Sequence, residues 1–118
     1  MQLKDFDFRL WHKPSKRFVD MSVRGADLRI IPTDDDYNME LEIWSGFYDS
    51  KDKKIYENDI VCCYFAMNGL VIFENAMFYV LNQHSGEKKT LFESLHESQA
   101  EKEPFVVESN IHFEKDKA

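Results

Sequence analysis

The sequence predicts one soluble, mainly β domain, and three observations carry that expectation. Apolar and polar side chains alternate with period two in several short runs, the pattern of strands with one face turned inward. Aromatic residues make up 14% of the chain, with ten Phe among them, and aromatics favour pleated, half-buried surfaces. The length of 118 residues suits a single hydrophobic core and is short for two. With 43% hydrophobic and 31% charged residues, the composition is that of a folding chain and not of a disordered one. Residues 1–114 are expected to form the domain, while 115–118 lack apolar anchors and should fray.

Taken in order, Phe6, Phe8 and Leu10 alternate with Asp7 and Arg9 in a first strand, and Trp11 begins to break the pattern. Lys13-Pro14-Ser15-Lys16 reads as a turn, and Val19, Met21 and Val23 form a second strand of a hairpin. A further strand is expected at Leu28 to Ile31, between Gly25 and Pro32, followed by the acidic turn Asp34-Asp35-Asp36. Met39, Leu41 and Ile43 alternate with Glu40 and Glu42, which predicts a strand with the apolar set inward, ending near Ser45-Gly46. From Asp59 to Phe65 the run is apolar on both faces, as in a strand covered on both sides. Asn68-Gly69 tolerates positive φ and predicts a tight hairpin turn, with Leu70 to Phe73 returning antiparallel. Ala76 to Leu81 adds another strand after a Glu74-Asn75 turn, so the middle of the chain should be a β-meander. Past the loop His84 to Glu87, Thr90 is placed to cap a short helix containing Leu91, Phe92 and Leu95, with Glu93 at the third position. Phe105, Val107, Ile111 and Phe113 are expected on one face of a closing strand.

Charge limits the classes of partner. The formal net charge is −7, but Met1 to Ile30 holds seven basic against four acidic residues, so the first stretch carries +3 and the remainder −10. An acidic body repels phosphate backbones, so nucleic-acid contact is not favoured and could come only from the basic N-terminal strands. Cys62 and Cys63 are neighbours, which alternation sends to opposite faces, so buried thiols in a reducing compartment are expected instead of a disulfide. Lys4, Asp5, Asp7 and Arg9 interrupt any leader-like start, and no run approaches the roughly 18 apolar residues of a membrane span. The expected location is the cytoplasm, with no membrane contact.

The block from Leu41 to Val61, through Ser45-Gly46-Phe47, Asp49, Lys51-Asp52 and Ile55-Tyr56-Glu57-Asn58-Asp59-Ile60-Val61, resembles the hallmark of the YopX family of phage and prophage proteins. That hallmark runs from an apolar strand through Thr-Gly-Leu, Lys-Asp and a short turn to Ile-Tyr-Glu-Gly-Asp-Ile-Val. Phe8-Arg9-Leu10-Trp11 is similar to the family's opening Phe-Arg-x-Trp, and Ser109-Asn110-Ile111-His112 to its closing Gly-Asn-Ile-His. Ser45 keeps the hydroxyl of Thr, Phe47 keeps the apolar anchor of Leu, and Asn58 is the next most tolerant residue where Gly is usual. The resemblance implies a meander sheet curled into a small pseudo-barrel with at most one or two short helices. It implies no catalytic residues, because the family is known chiefly as uncharacterised phage-related proteins. A host cytoplasmic location follows if the chain is phage-encoded.

Physical reasoning gives the hallmark residues structural work. Asp49 is expected to form a turn through its side-chain oxygen, Ile55 and Tyr56 to fasten the long loop, and Asp59 to bond loop amides at the start of a strand. Trp11, Ser45, Gly46, Glu57, Asn110 and Ile111 complete the set. Glu57 and Asp59 could share a face for acid–base chemistry, yet carboxylates there commonly hold backbone amides. His12, His84, His96 and His112 are scattered without zinc spacing, and neither a nucleophile elbow nor a phosphate loop occurs. No cofactor, metal or enzymatic activity is expected. Trp44, Tyr48, Tyr56 and Tyr64 could stack bases, but the acidic residues around them favour core packing or a protein interface. The expected role is therefore a non-enzymatic binding or assembly module that self-associates or binds a protein partner. A nucleic-acid-directed regulator, by contact or by acidic mimicry of DNA, is the alternative.

Overall fold

In the computed structural model the described residues are 7–19 and 39–116. The expected strand at Leu28 to Ile31, the turn Asp34 to Asp36 and the positions Met21 and Val23 lie outside them. The fold is mainly β with two short helices, and the sheet that begins the chain curls as a half-barrel. The chain divides into two compact units, Met1–Ile43 and Trp44–Ala118.

In the first unit, β1 (Phe8–His12) and β2 (Arg17–Phe18) pair antiparallel, with Trp11 opposite Phe18. The predicted turn joins them, and Lys16 adopts φ 54 to close it. The first half of β3 (Met39–Tyr48) lies antiparallel to β1, with Phe8 opposite Ile43 and Leu10 opposite Leu41. Trp11 breaks the alternation as expected, an aromatic 5% exposed directly after Leu10 within β1, with its ring edge-on to Phe18 at 4.9 Å. One expectation fails here: the face of β3 is inverted, because Glu42 is fully buried while Leu41 is 56% exposed. The cause lies across the ladder: Arg9 stands opposite Glu42, its Nε donates to Glu42 Oε1 at 2.8 Å, and its guanidinium covers the Phe18 ring at 4.5 Å. A buried carboxylate is tolerable only when paired in this way.

In the second unit, the end of β3 pairs with β4 (Lys54–Tyr56) through a bulge between Trp44 and Tyr48. Gly46 sits in that bulge at φ 89, a conformation that favours glycine. The expected meander follows in β5 (Asp59–Cys62), β6 (Gly69–Glu74) and β7 (Met77–Asn82), and β8 (Lys88–Thr90) extends it. β9 (Val106–Asn110) adds to β5, giving a five-stranded antiparallel sheet in the order β8-β7-β6-β5-β9. Val61, Val71 and Val80 stand on one face of adjacent strands, fully buried, and pack with Ile55, Leu91 and Phe105. Helix α1 (Leu91–Ala100) starts where predicted, with Thr90 Oγ1 accepting from Glu93 N at 3.1 Å.

The differences in this unit are local. β5 stops at Cys62, so Tyr64 and Phe65 lie in a connection bracketed by mutual Cys63 and Ala66 backbone bonds. Gly69 is not a positive-φ turn residue. It is a strand residue paired with Val61 and Asn82, where a Cβ would come within 2.7 Å of Val80 Cγ1. The β6–β7 turn falls one residue later than expected, on Asn75 and Ala76 at φ 51 and 62. β8 is a strand the sequence did not announce, and the closing strand ends at Asn110, where α2 (Ile111–Asp116) begins. Asn110 Oδ1 accepts from His112 N at 3.0 Å and Phe113 N at 3.3 Å, which turns the chain into that helix and takes Phe113 out of the strand.

Candidate functional site

The hallmark residues of the second unit are occupied in backbone contacts. Ser45 Oγ accepts from Phe47 N at 3.2 Å, and Trp44 Nε1 donates to Phe47 O at 3.0 Å, holding the bulge that Gly46 permits. Asp49 is 5% exposed, and Oδ1 accepts from Lys51 N and Lys53 N, each at 2.8 Å. Its Oδ2 accepts from Val107 N at 3.0 Å, across 58 positions of sequence. Ser50 extends the same clasp: its Oγ accepts from Phe105 N, and its N donates to Phe105 O, both at 2.8 Å. The loop after β3 is thus tied along the outer edge of the β9 segment.

Ile55 is fully buried, Tyr56 stands opposite Trp44, and Glu57 is half-buried in the turn to β5. Asp59, 1% exposed, accepts from Tyr56 N at 2.8 Å through Oδ2, closing a turn in which Asn58 takes φ 71. Asn58 N donates to Val71 O at 2.7 Å and Asn58 O accepts from Ile111 N at 2.8 Å, while Asp59 pairs with Asn110. Ser45, Gly46, Asp49, Ile55 to Glu57, Asp59, Asn110 and Ile111 therefore belong to one bonded framework, while Trp11 belongs to the first unit.

Of the four aromatics considered for stacking, Trp44 and Tyr48 meet edge-on at 5.4 Å with Lys54 Nζ 4.5 Å above the Trp44 ring. Tyr64 is exposed, in the connection after β5. Two cations of the basic N-terminal stretch are paired, Arg9 with Glu42 and Lys13 with Glu40 at 3.5 Å. Both cysteines are free, Cys63 buried and Cys62 partly so. Burial pushes both thiols up, and Glu108 adds to the effect at Cys62, so neither is poised as a thiolate nucleophile. Among the described residues no helix is long and apolar enough to cross a membrane.

What the framework leaves unused is apolar surface. Phe47, Ala76 of the β6–β7 turn, Met77 and Phe78 at the start of β7, and Thr90, Leu91 and Phe92 at the start of α1 line an open groove of about 350 Å³. Leu91 and Leu95 face the core, one helical turn apart, which swings Phe92 off that face and leaves it 63% exposed. Phe92 lies 6.3 Å from Phe47 and stacks on His96 at 6.2 Å, and Met77 is 47% exposed beside it. The sequence reading left Trp44, Tyr48, Tyr56 and Tyr64 to core packing or a protein interface and did not point to this groove. The available signal was Phe92, one position away from the Leu91 and Leu95 stripe.

Against this geometry, no family model matches the chain. No curated protein matches it either.

Proposed function

We propose that this chain is a YopX-like protein of phage or prophage origin that acts in the host cytoplasm as a non-enzymatic binding module, engaging a protein partner through the Phe47, Met77 and Phe92 groove. One observation carries the reading: large apolar side chains stand exposed around a concavity, while the carboxylates of Asp49 and Asp59 are bonded to backbone amides. Grouped apolar surface of this kind marks interaction sites.

The sheet edges support the same choice. β8 is three residues long and carries two lysines, Lys88 bonded to Glu74 and Lys89 to Glu97 at 2.7 Å. Charged, short edges discourage strand pairing. At the other edge the amides of Phe105 and Val107 are taken by Ser50 and Asp49. Extension of the five-stranded sheet is thereby blunted at both of its edges.

The test compares wild-type protein with Phe92→Asp, a change at an exposed position. Light scattering across concentrations, together with pull-down using both proteins as bait, should give self-association or a captured partner with the wild type and lose it with the variant, at equal melting temperature. A single monomeric species and identical recoveries from both baits would remove the proposal.

A further inference from the structure

We infer that the β1–β2 hairpin holds a separate site, which takes the phosphate group of a phosphate ester against His12 and Arg17. It lies in the first unit and does not depend on the groove. From Phe8 to Val19 the chain contains Arg9, Lys13, Lys16 and Arg17 and no acidic residue. His12 and Arg17 stand directly opposite each other on β1 and β2, so their side chains rise from the same face with Cβ atoms about 5 Å apart. With Ser15, Phe18 and Val19 they line, among the described residues, an open hollow of about 250 Å³.

Both side chains have donors to spare. Ser15 N donates to His12 Nδ1 at 3.3 Å, and the Ser15 hydroxyl lies 2.6 Å from the same nitrogen, so the ring carries its proton on Nε2. That nitrogen and the exposed Arg17 guanidinium have no hydrogen bond or ion pair among the described residues. The carboxylates of β3 do not share their face. Glu40 and Glu42 stand opposite Trp11 and Arg9, on the other side of the sheet, where Lys13 and Arg9 pair with them. On the side of His12 the paired residues of β1 and β3 are Phe8, Leu10, Met39, Leu41 and Ile43, all apolar. A planar guanidinium beside an imidazole N–H suits a tetrahedral oxyanion, which fills the fork with two oxygens and keeps a third for the ring. A carboxylate has only the two.

The probes are phenyl phosphate, benzoate and a thymidine oligonucleotide of about ten residues, titrated into the full chain while backbone amide resonances are followed. Phenyl phosphate should give saturable shifts confined to His12, Ser15, Arg17 and Phe18, with benzoate weaker on the order of tenfold. Arg17→Gln should abolish these shifts. Arg17→Lys, which keeps the charge of the hairpin and gives up the planar fork, should weaken phenyl phosphate several-fold, as should His12→Ala. Unmoved Trp11 and Phe18 signals in the free variants check that the hairpin is intact.

An oligonucleotide that moves the same four signals and binds many-fold tighter than phenyl phosphate makes a nucleic-acid backbone the source of the phosphate. One that binds no tighter makes the source a small ester, and either result upholds the site. Equal affinity for benzoate overturns the phosphate class. Shifts spread over other lysines and unchanged by Arg17→Gln or Arg17→Lys overturn the site, as does the absence of any shift. The groove reading is judged separately by the Phe92→Asp comparison.

Discussion

Asp49 accepts three backbone hydrogen bonds with one carboxylate, and they differ in value. Water can reach the amides of Lys51 and Lys53 on the exposed loop, whereas Val107 is buried, so an orphaned amide there bears the full desolvation cost. Asp49→Ala should lower stability by about 2–4 kcal/mol in urea denaturation, with Asp49→Asn recovering part of the loss. Ser94 is the opposite case: it is fully buried in α1, and its hydroxyl has no hydrogen-bond partner. Ser94→Ala removes an unsatisfied group and adds a better helix former, so the midpoint of unfolding should rise, by about 0.5–1 kcal/mol. The thiols add a pH dependence. An ordinary cysteine ionises near 9.0, and burial holds Cys63 above that in the folded chain. The unfolded state therefore loses its thiol proton first, so this contribution to stability is complete at neutral pH and declines as pH rises beyond about 9. Melting curves at rising alkaline pH should fall more steeply for the wild type than for Cys63→Ala.

At the scale of elements, glycine serves two different ends. Gly46 supplies a left-handed φ of 89 in the β3 bulge, with open space around its missing Cβ. Gly69 supplies room instead: an added methyl would lie 2.7 Å from Val80 Cγ1 and 3.1 Å from Val61 Cγ2, both on strands flanking β6. Gly69→Ala should cost about 1–3 kcal/mol by overpacking. Introduced into a Val80→Ala background the same change should cost measurably less, a coupling that a double-mutant cycle reads directly. The period-two alternation located β1, β3 and the meander, and Thr90 located α1, because those signals are local to the chain. Register and face were not legible in the same way. The inverted face of β3 depends on Arg9, 33 positions away from Glu42, and alternation alone cannot weigh a buried ion pair against a buried leucine.

Across the whole molecule, stability should be uneven. The central strands β5, β6 and β7 bury Val61, Val71 and Val80 completely, while the short β2 and β8 lie at sheet edges. Hydrogen exchange should therefore be slowest for the sheet-bonded amides of β5 to β7 and fast in the β1–β2 and β7–β8 turns. If the β2 amides exchanged as slowly as those of β6, this ordering would be wrong. The five-stranded sheet is closed at one edge by long-range bonds from Asp49 and Ser50 to the β9 segment.

By itself the sequence determined the mainly β class, the central meander, the hairpin turn at Lys13 to Lys16 and the capped start of α1, all of which rest on neighbours within a few residues. Only the tertiary structure decided that Glu42 turns inward, that Gly69 is a packing glycine, that the strand after Phe105 yields to a helix at Ile111, and that Phe47, Met77 and Phe92 share a groove. Each of those outcomes depends on groups far apart in the chain meeting in space. Periodicity says which side chains could share a face, but not what that face will meet.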